Sequence, residues 1–490
     1  MKNKTENFTI LHSNDIHGSI KGKQVAEEVV GGFSYLSGYI NKTRREVGKE
    51  SVLYVISGDV LSGSFEDARF EGLATVELLN YIAPDAVSLG NHDFDYGVSR
   101  LLLLEKLANF PILNANIYIS NSGKRILKPY QIINRKGYNI LMIGLVTEEI
   151  ENYLAKKENL KGIISCRNAE EEIPKIINQF SNVDVDLTIL LTHVGIEKDR
   201  EIAEKLDPNL GVDIIIGGHS HTTTAREEIV NGIIIVQAGS GNTEIGRLDV
   251  VVNDETNSVI DFNYKIVPLD KENSERDVVM ENYMENRLKA IDDEGGEIIV
   301  RLPKSLSHET RIKETELGDF IADVFKNRLK VDIAFIGSGS IRKDLPKIVT
   351  RRALYETFPF RDGIKRYRVN GKTLKKLFEN FMSKENIDNQ DGEFFQVSGG
   401  MKAVYDRNKK SLIHLSLHSK PIEDNKTYTI CMQNFQYHRC LELFNLKKSD
   451  FIEVKKGTIT NQYDALEGYL YSLREKSIPI NSKGGRLIYK

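Results

Sequence analysis

The sequence predicts an α/β domain followed by a smaller α+β domain, and three observations predict it. Short β-rich apolar runs alternate with amphipathic stretches through the first 270 residues. Several of those runs end in a cluster of polar residues, and near Asp270 the composition shifts to a charged stretch. Strand, polar loop and helix repeated in this order give a layered domain whose functional loops gather at one sheet edge.

The bulk properties agree with two domains. A chain of 490 residues exceeds what one ordinary hydrophobic core supports. The 40% apolar and 28% charged residues describe a globular protein, and a formal charge of −3 gives no general attraction to nucleic acid or to an anionic membrane. No apolar stretch approaches the ~18–20 residues of a membrane span. Met1 to Asn7 runs into Phe8 without an apolar leader region, which predicts a cytoplasmic location, or a secreted or cell-surface one if a signal peptide has been removed. Cys166, Cys431 and Cys440 are an odd number without a CxxC pair, which disfavours a disulfide framework.

In chain order, strands are expected at Phe8 to His12, Ser51 to Ser57, Ala86 to Leu89, Ile140 to Val146, Leu187 to Leu191, Asp213 to Ile216, Ile233 to Gln237 and Leu248 to Val252. From about Asp270 to Glu297 the charged run and the spacing of Val278, Met280, Met284, Leu288 and Ile291 suit an amphipathic helix stopped by Gly295-Gly296. It reads as the connector. Beyond it come a helix at Leu317 to Leu329, a strand at Asp332 to Ile336, a helix at Thr373 to Phe381, and antiparallel segments near Phe394 to Val397, Lys402 to Tyr405, Leu412 to Leu417 and Thr427 to Met432.

The chemistry-bearing residues sit where the strands end. Gly90-Asn91-His92-Asp93-Phe94-Asp95 offers an amide, an imidazole and carboxylates within six residues. Asp15 and His17 are two apart, so in extended backbone both face one side, and His219 and His221 repeat the arrangement. Asp59 follows a buried-looking strand and a Ser-Gly turn, where an unpaired carboxylate is costly unless a cation neutralises it. With His193 and Asn91 these make seven ligands: Asp15, His17, Asp59, Asn91, His193, His219 and His221. One ion cannot use them all, whereas two divalent ions bridged by a carboxylate can. Oxygen donors mixed with imidazoles suit Mn, Zn, Fe or Co, and paired ions of this kind hydrolyse phosphate esters. His92 is then placed to bind or stabilise a phosphoryl oxygen, with Asp95 favouring its imidazolium.

Asp15-Ile16-His17-Gly18, Gly58-Asp59, Gly90 to Asp95, Thr192-His193 and Gly218-His219-Ser220-His221 resemble the ordered motifs of the calcineurin-like metallophosphoesterases. More narrowly, they resemble the two-domain 5′-nucleotidase family, which includes ecto-5′-nucleotidase and the bacterial UDP-sugar hydrolase. The resemblance implies a four-layered metallophosphoesterase β-sandwich flanked by helices over residues 1–269, a connecting helix over 270–297, and a 5′-nucleotidase-type substrate-binding domain over 298–490. It also implies that Asp15, His17, Asp59 and His221 hold one metal and that Asp59, Asn91, His193 and His219 hold the other. His92 and Asp95 would form the catalytic dyad.

In the second half, Arg342 follows a glycine-rich turn at a strand end, where a guanidinium can fork onto phosphate or carboxylate. The family pattern adds Arg311, Phe360 and Phe435, because Pro359-Phe360 and Asn434-Phe435 resemble its two base-stacking segments. Three departures stand out. Gly337 replaces the usual Asn of the Arg342 loop, Asp362 stands where Asn or Gly is common, and Gln436-Tyr437-His438-Arg439-Cys440-Leu441 replaces a Gly-Gly-Asp-Gly segment. In the family that Asp grips the ribose hydroxyls, and its place here falls near Leu441. The leading expectation is a 5′-nucleotidase acting on nucleoside monophosphates, without nucleic-acid or membrane partners and as a monomer or weak dimer. The alternatives are a phosphodiesterase or pyrophosphatase acting on cyclic nucleotides, dinucleotides or nucleotide-sugars, and a non-catalytic nucleotide-binding protein.

Overall fold

The computed structural model describes residues 4–155, 162–388, 393–454, 459, 461–474 and 484–490. Met1 to Asn3 lie outside them. The chain divides into two compact units, Met1–Ile291 and Asp292–Lys490.

Two six-stranded sheets form the first unit. One runs in the order Ser258–Pro268, Glu244–Asn253, Thr5–Ser13, Val52–Ser57, Ala86–Ser88, Ile112–Leu113, and the last four strands are parallel. The other runs Glu228–Val230, Ile233–Val236, Ile214–Ile216, Leu187–His193, Tyr138–Val146, Tyr130–Arg135, with its four central strands parallel. Alternate residues of the two sheets, Phe8, Ile10, Leu53 and Val55 from one and Ile140, Met142, Ile189 and Leu191 from the other, share one buried cluster. The opposite face of the second sheet, Leu141, Ile143 and Leu145, packs on Ile173 and Ile176 of the helix Ala169–Ile177 and on Ile202 of Ile196–Lys205. The helix Phe33–Val47 lies against the Val52–Ser57 strand of the first sheet. This is the four-layered sandwich.

Strands buried on both faces read as continuous apolar runs, which is why their positions were legible. Ser258–Pro268 and Tyr130–Arg135 close the sheets as half-exposed edges, and the polar residues mixed into them concealed them. Parallel strands start and stop together. The loops after Ser13, Ser57 and Ser88 therefore leave one edge of the first sheet, and those after Val146, His193 and Ile216 leave one edge of the second. The Ser57 hydroxyl donates to the Ile216 carbonyl at 2.6 Å, which joins the two edges.

The helix expected from about Asp270 to Glu297 starts later than expected and ends at Gly296. Asp270 to Asp277 is not helical. Asp270 accepts the amides of Glu272 and Asn273, and Asp277 accepts those of Val279 and Met280, so these carboxylates close turns and cap the helix Val278–Gly296. Gly295 and Gly296 are its last residues.

The second unit is built on a five-stranded sheet ordered Phe395–Val397, Ile333–Gly337, Thr427–Gln433, Ile364–Asn370, Ile452–Glu453. The Thr427 segment, expected as an antiparallel strand, is antiparallel to Ile364–Asn370 and parallel to Ile333–Gly337, with Ile333 opposite Ile430. Ile364–Asn370 was hidden by Lys365, Arg366 and Arg368, while its Ile364, Tyr367 and Val369 are buried. Met401–Asp406 and Ser411–Leu417 form a second sheet with the C-terminal strand Leu487–Tyr489. The three cysteines are free. Among the described residues no helix is long and apolar enough to cross a membrane.

Candidate active site

In the first unit, the loops at the joined sheet edges bring carboxylates and imidazoles within ligand distance of one another. His193 Nε2 lies 3.2 Å from Asp59 Oδ2 and 3.8 Å from Asp15 Oδ1. His221 Nε2 lies 3.2 Å from Asp15 Oδ1, and His17 Nε2 is 3.8 Å from both Asp15 Oδ1 and Asp59 Oδ2. The His219 ring centroid is 5.2 Å from that of His193. Asn91 precedes His92, whose backbone N–H donates to Asp59 Oδ1 at 2.8 Å.

Holding so many polar groups together strains the backbone. Asp15, His17, Asp59, His219 and His221 all have positive φ, between 48° and 82°, a conformation that costs of order 1–3 kcal/mol at a non-glycine residue. Gly90 permits the closest approach: a Cβ there would lie 2.1 Å from Asp59 Oδ1. The strain persists because hydrogen bonds over-determine the loops. His17 Nδ1 pairs with the Ser62 carbonyl and His193 Nδ1 with the Ser57 carbonyl, each at 2.9 Å, which turns both Nε2 atoms toward the carboxylates.

Electrostatics point the same way. Burial pulls His193 down, yet the charges of Asp59 and Asp15 outweigh it and raise the imidazole to about 9. Burial likewise opposes ionisation of Asp59, and the surrounding histidines hold it below the usual carboxylate range. Beside this cluster, His92 Nδ1 lies 2.9 Å from Asp95 Oδ2. Burial lowers His92, but the Asp95 hydrogen bond and the charges of Asp59, Asp95 and Asp93 raise it overall.

In the second unit, the Arg342 guanidinium sits over the Phe360 ring, 4.9 Å from its centroid, a cation–π contact. Phe360 and Phe435 are both exposed, and their segments are tied together. The Phe435 amide donates to Asp362 Oδ2 at 2.7 Å and the Asn434 amide to the Gly363 carbonyl at 2.9 Å. Surrounding protein and the charge of Arg311 pull Arg342 below the ordinary arginine value, and an anion between the two cations would relieve that repulsion. At Gly337, a Cβ would meet the Gln436 side chain at 2.2 Å. The segment that departs from the family pattern is the helix Asn434–Leu443, with Leu441 packed on the core. Leu441 therefore offers no polar group to a sugar.

A calcineurin-like phosphoesterase model matches residues 8–223, and a 5′-nucleotidase C-terminal domain model matches residues 295–443. A snake venom 5′-nucleotidase from Gloydius brevicauda is 30% identical over 486 residues, covering 87% of this chain and 80% of that protein. This chain belongs to the 5′-nucleotidase family. A 5′-nucleotidase of Vibrio cholerae is 27% identical over 88% of this chain and 85% of its own length. The crystal structure of a 5′-nucleotidase precursor from Thermus thermophilus shares the fold, with a TM-score of 0.75 over 99% of both chains at 21% identity. As a 5′-nucleotidase-family protein with the calcineurin-like domain, the chain is a metal-dependent phosphohydrolase.

The donor set suits the divalent ions that a 5′-nucleotidase of this type implies. Asp15 Oδ1, Asn91 Oδ1 and His193 Nε2 are buried and lack a hydrogen-bond partner, which a native interior avoids unless another group completes them. Asp15, His17 and His221, and Asp15, Asp59 and His193, each present ligand atoms within 4.8 Å of one another.

Residues that position this cluster escaped the motif reading. Asn14 donates to Asp15 Oδ2 and to the Gly239 carbonyl, each at 2.7 Å. Asp93 accepts the amides of Gly90 and Leu61. Asp199, fully buried, receives Thr192 Oγ1 and Gln237 Nε2, and Gln237 in turn accepts the Ser220 hydroxyl between His219 and His221. Asp93 stood inside a recognised motif and Asn14 immediately before one. Asp199 and Gln237 carried no local signal.

Proposed function

We propose that this protein hydrolyses nucleoside 5′-monophosphates to nucleoside and phosphate, using two divalent ions drawn from Mn, Zn, Fe and Co. What carries the reading is the buried set of Asp15 Oδ1, Asn91 Oδ1 and His193 Nε2, which complete no hydrogen bond although imidazole and carboxylate stand 3.2 Å apart, beside the His92–Asp95 pair. Asp15, His17, Asp59 and His221 would hold one ion, and Asp59, Asn91, His193 and His219 the other, with Asp59 shared. When bound, such ions supply charge neutralisation of the ester and acidify an attacking water.

The chain's own groups do the rest. Asp95 accepts the hydrogen bond from Nδ1–H of His92 and so favours the imidazolium, leaving Nε2–H as the donor offered to a phosphoryl oxygen as its charge grows. Arg311 and Arg342 bind the anionic part of the substrate, and Phe360 and Phe435 take the base between aromatic faces. Residues 1–269 carry the hydrolytic chemistry and 298–490 substrate binding, joined through 270–297. A reducing compartment suits the unpaired cysteines, and a small-molecule substrate without nucleic-acid or membrane partners suits the near-neutral charge, in a monomer or weak dimer.

Mn- or Co-loaded protein assayed against AMP, a cyclic nucleotide, a dinucleotide and a nucleotide-sugar tests the reading. Turnover of AMP above the diesters and pyrophosphates is expected. A clear preference for the latter would replace it with the phosphodiesterase or pyrophosphatase reading.

A further inference from the structure

The second unit lacks the aspartate with which its relatives are expected to grip ribose, but it holds another carboxylate close by. Glu393 is 9% exposed. It lies two residues before the strand Phe395–Val397, whose Phe395 pairs with Gly337. The Phe394 carbonyl accepts the Ser338 amide at 2.8 Å, which carries Glu393 to the start of the loop leading to Arg342. Asn386 fixes its backbone from both sides, donating Nδ2 to the Glu393 carbonyl at 2.9 Å and accepting its N–H at 3.1 Å.

The side chain hydrogen-bonds Gln436 and feels the charges of Arg439, Arg311 and Arg342. Two of those arginines are the ones assigned to substrate. Gln436 is 3% exposed, and its Oε1 has no hydrogen-bond partner. It is the same side chain that fills the space left by Gly337. Two of the departures from the family pattern therefore converge on one place. Burial raises the Glu393 carboxyl to about 7 against the pull of the arginines, so a donor that completes its hydrogen bonding would favour the ionised form.

We propose that Glu393, seconded by Gln436, is the specificity-determining group that receives the sugar hydroxyls of the substrate in place of the missing aspartate. The inference rests on the nucleotide reading above. Hydroxyls are donors, an ionised carboxylate accepts through both oxygens, and the orphan Oε1 of Gln436 is a third acceptor. Loss of a hydrogen bond to a charged group at a specificity site costs about 10- to 100-fold. A carboxylate that merely balanced Arg311 and Arg342 would instead affect every anionic substrate alike.

The test compares kcat and KM of the metal-loaded full chain for AMP, 2′,3′-dideoxy-AMP and p-nitrophenyl phosphate. The wild type is expected to prefer AMP over its dideoxy analogue by about 10- to 100-fold in kcat/KM. Glu393→Ala should erase that preference mainly through KM, leave p-nitrophenyl phosphate nearly unchanged, and be partly rescued by Glu393→Gln. If Glu393→Ala does not fold, Glu393→Gln decides, since it keeps the volume and one acceptor: a preference for AMP that is reduced but not erased supports the assignment, and an undiminished one overturns it. Equal wild-type turnover of both nucleotides would overturn the inference and leave the nucleotide reading standing. So would a variant that keeps the preference, or one that loses all three substrates in parallel. Wild-type turnover of p-nitrophenyl phosphate alone would overturn both.

Discussion

Nδ1 of His92 lies 2.9 Å from Oδ2 of Asp95, and that same oxygen accepts the Ser62 hydroxyl at 2.6 Å. Ser62 also presents its carbonyl to His17 at 2.9 Å. One loop thus orients the proposed acid and one of the proposed ligands together. His92→Ala should lower kcat by roughly 10²–10⁴ with metal content unchanged. Asp95→Asn should cost less, because the ring stays in place while its imidazolium loses a charged partner. Metal analysis beside steady-state kinetics checks both, and loss of an ion from His92→Ala would make it a ligand instead.

Asp59 faces His193, His17 and the His92 amide, so its removal touches both proposed ions. Asp59→Asn should weaken both, whereas His221→Ala, half-exposed beside Asp15, should lose mainly one. Titration of bound metal reads the difference. Two ions retained at full activity by Asp59→Asn would remove the bridge. Chelation should also lower the melting temperature of the wild type, because the ions bind only the folded cluster.

Phe360 and Phe435 expose aromatic faces on segments pinned through Asp362 and Gly363. Base stacking is worth about 1–3 kcal/mol per base, so Phe360→Ala with Phe435→Ala should raise KM for AMP by roughly 10-fold or more. KM for p-nitrophenyl phosphate should move little. Equal effects on the two substrates would deny these rings a base-stacking role.

Glu172, buried on the outer face of the second sheet, provides a control remote from the chemistry. Burial opposes its ionisation, but hydrogen bonds from Lys175, Tyr118 and Arg125 prevail and depress its carboxyl to about 2. A folded value below the unfolded one stabilises the protein above about pH 4.3, and that contribution is lost as the pH falls toward 2. Glu172→Gln should therefore lower the melting temperature clearly at pH 7 and less with each step of acidification below pH 4. A gap that stays constant over that range would show that the ionised form is not what the fold uses.

Local chain order alone determined the α/β class, because strands buried on both faces, such as Leu187–His193, declare themselves as apolar runs. It also determined the strand-end motifs from Asp15-Ile16-His17 to His219-Ser220-His221, since each lies within a few residues and needs no partner to be recognised. It could not show Ile364–Asn370, whose charged face masks the period. Nor could it show the supports beneath the motifs. Asp199 and Gln237 meet only because a helix after one strand packs against the end of another. Glu393 reaches Gln436 only because Phe395 pairs with Gly337 while Asn434–Leu443 folds as a helix against the same loop. Such contacts join segments distant in sequence, and burial, strand register and the removal of water decide them; no local pattern in the chain encodes these two.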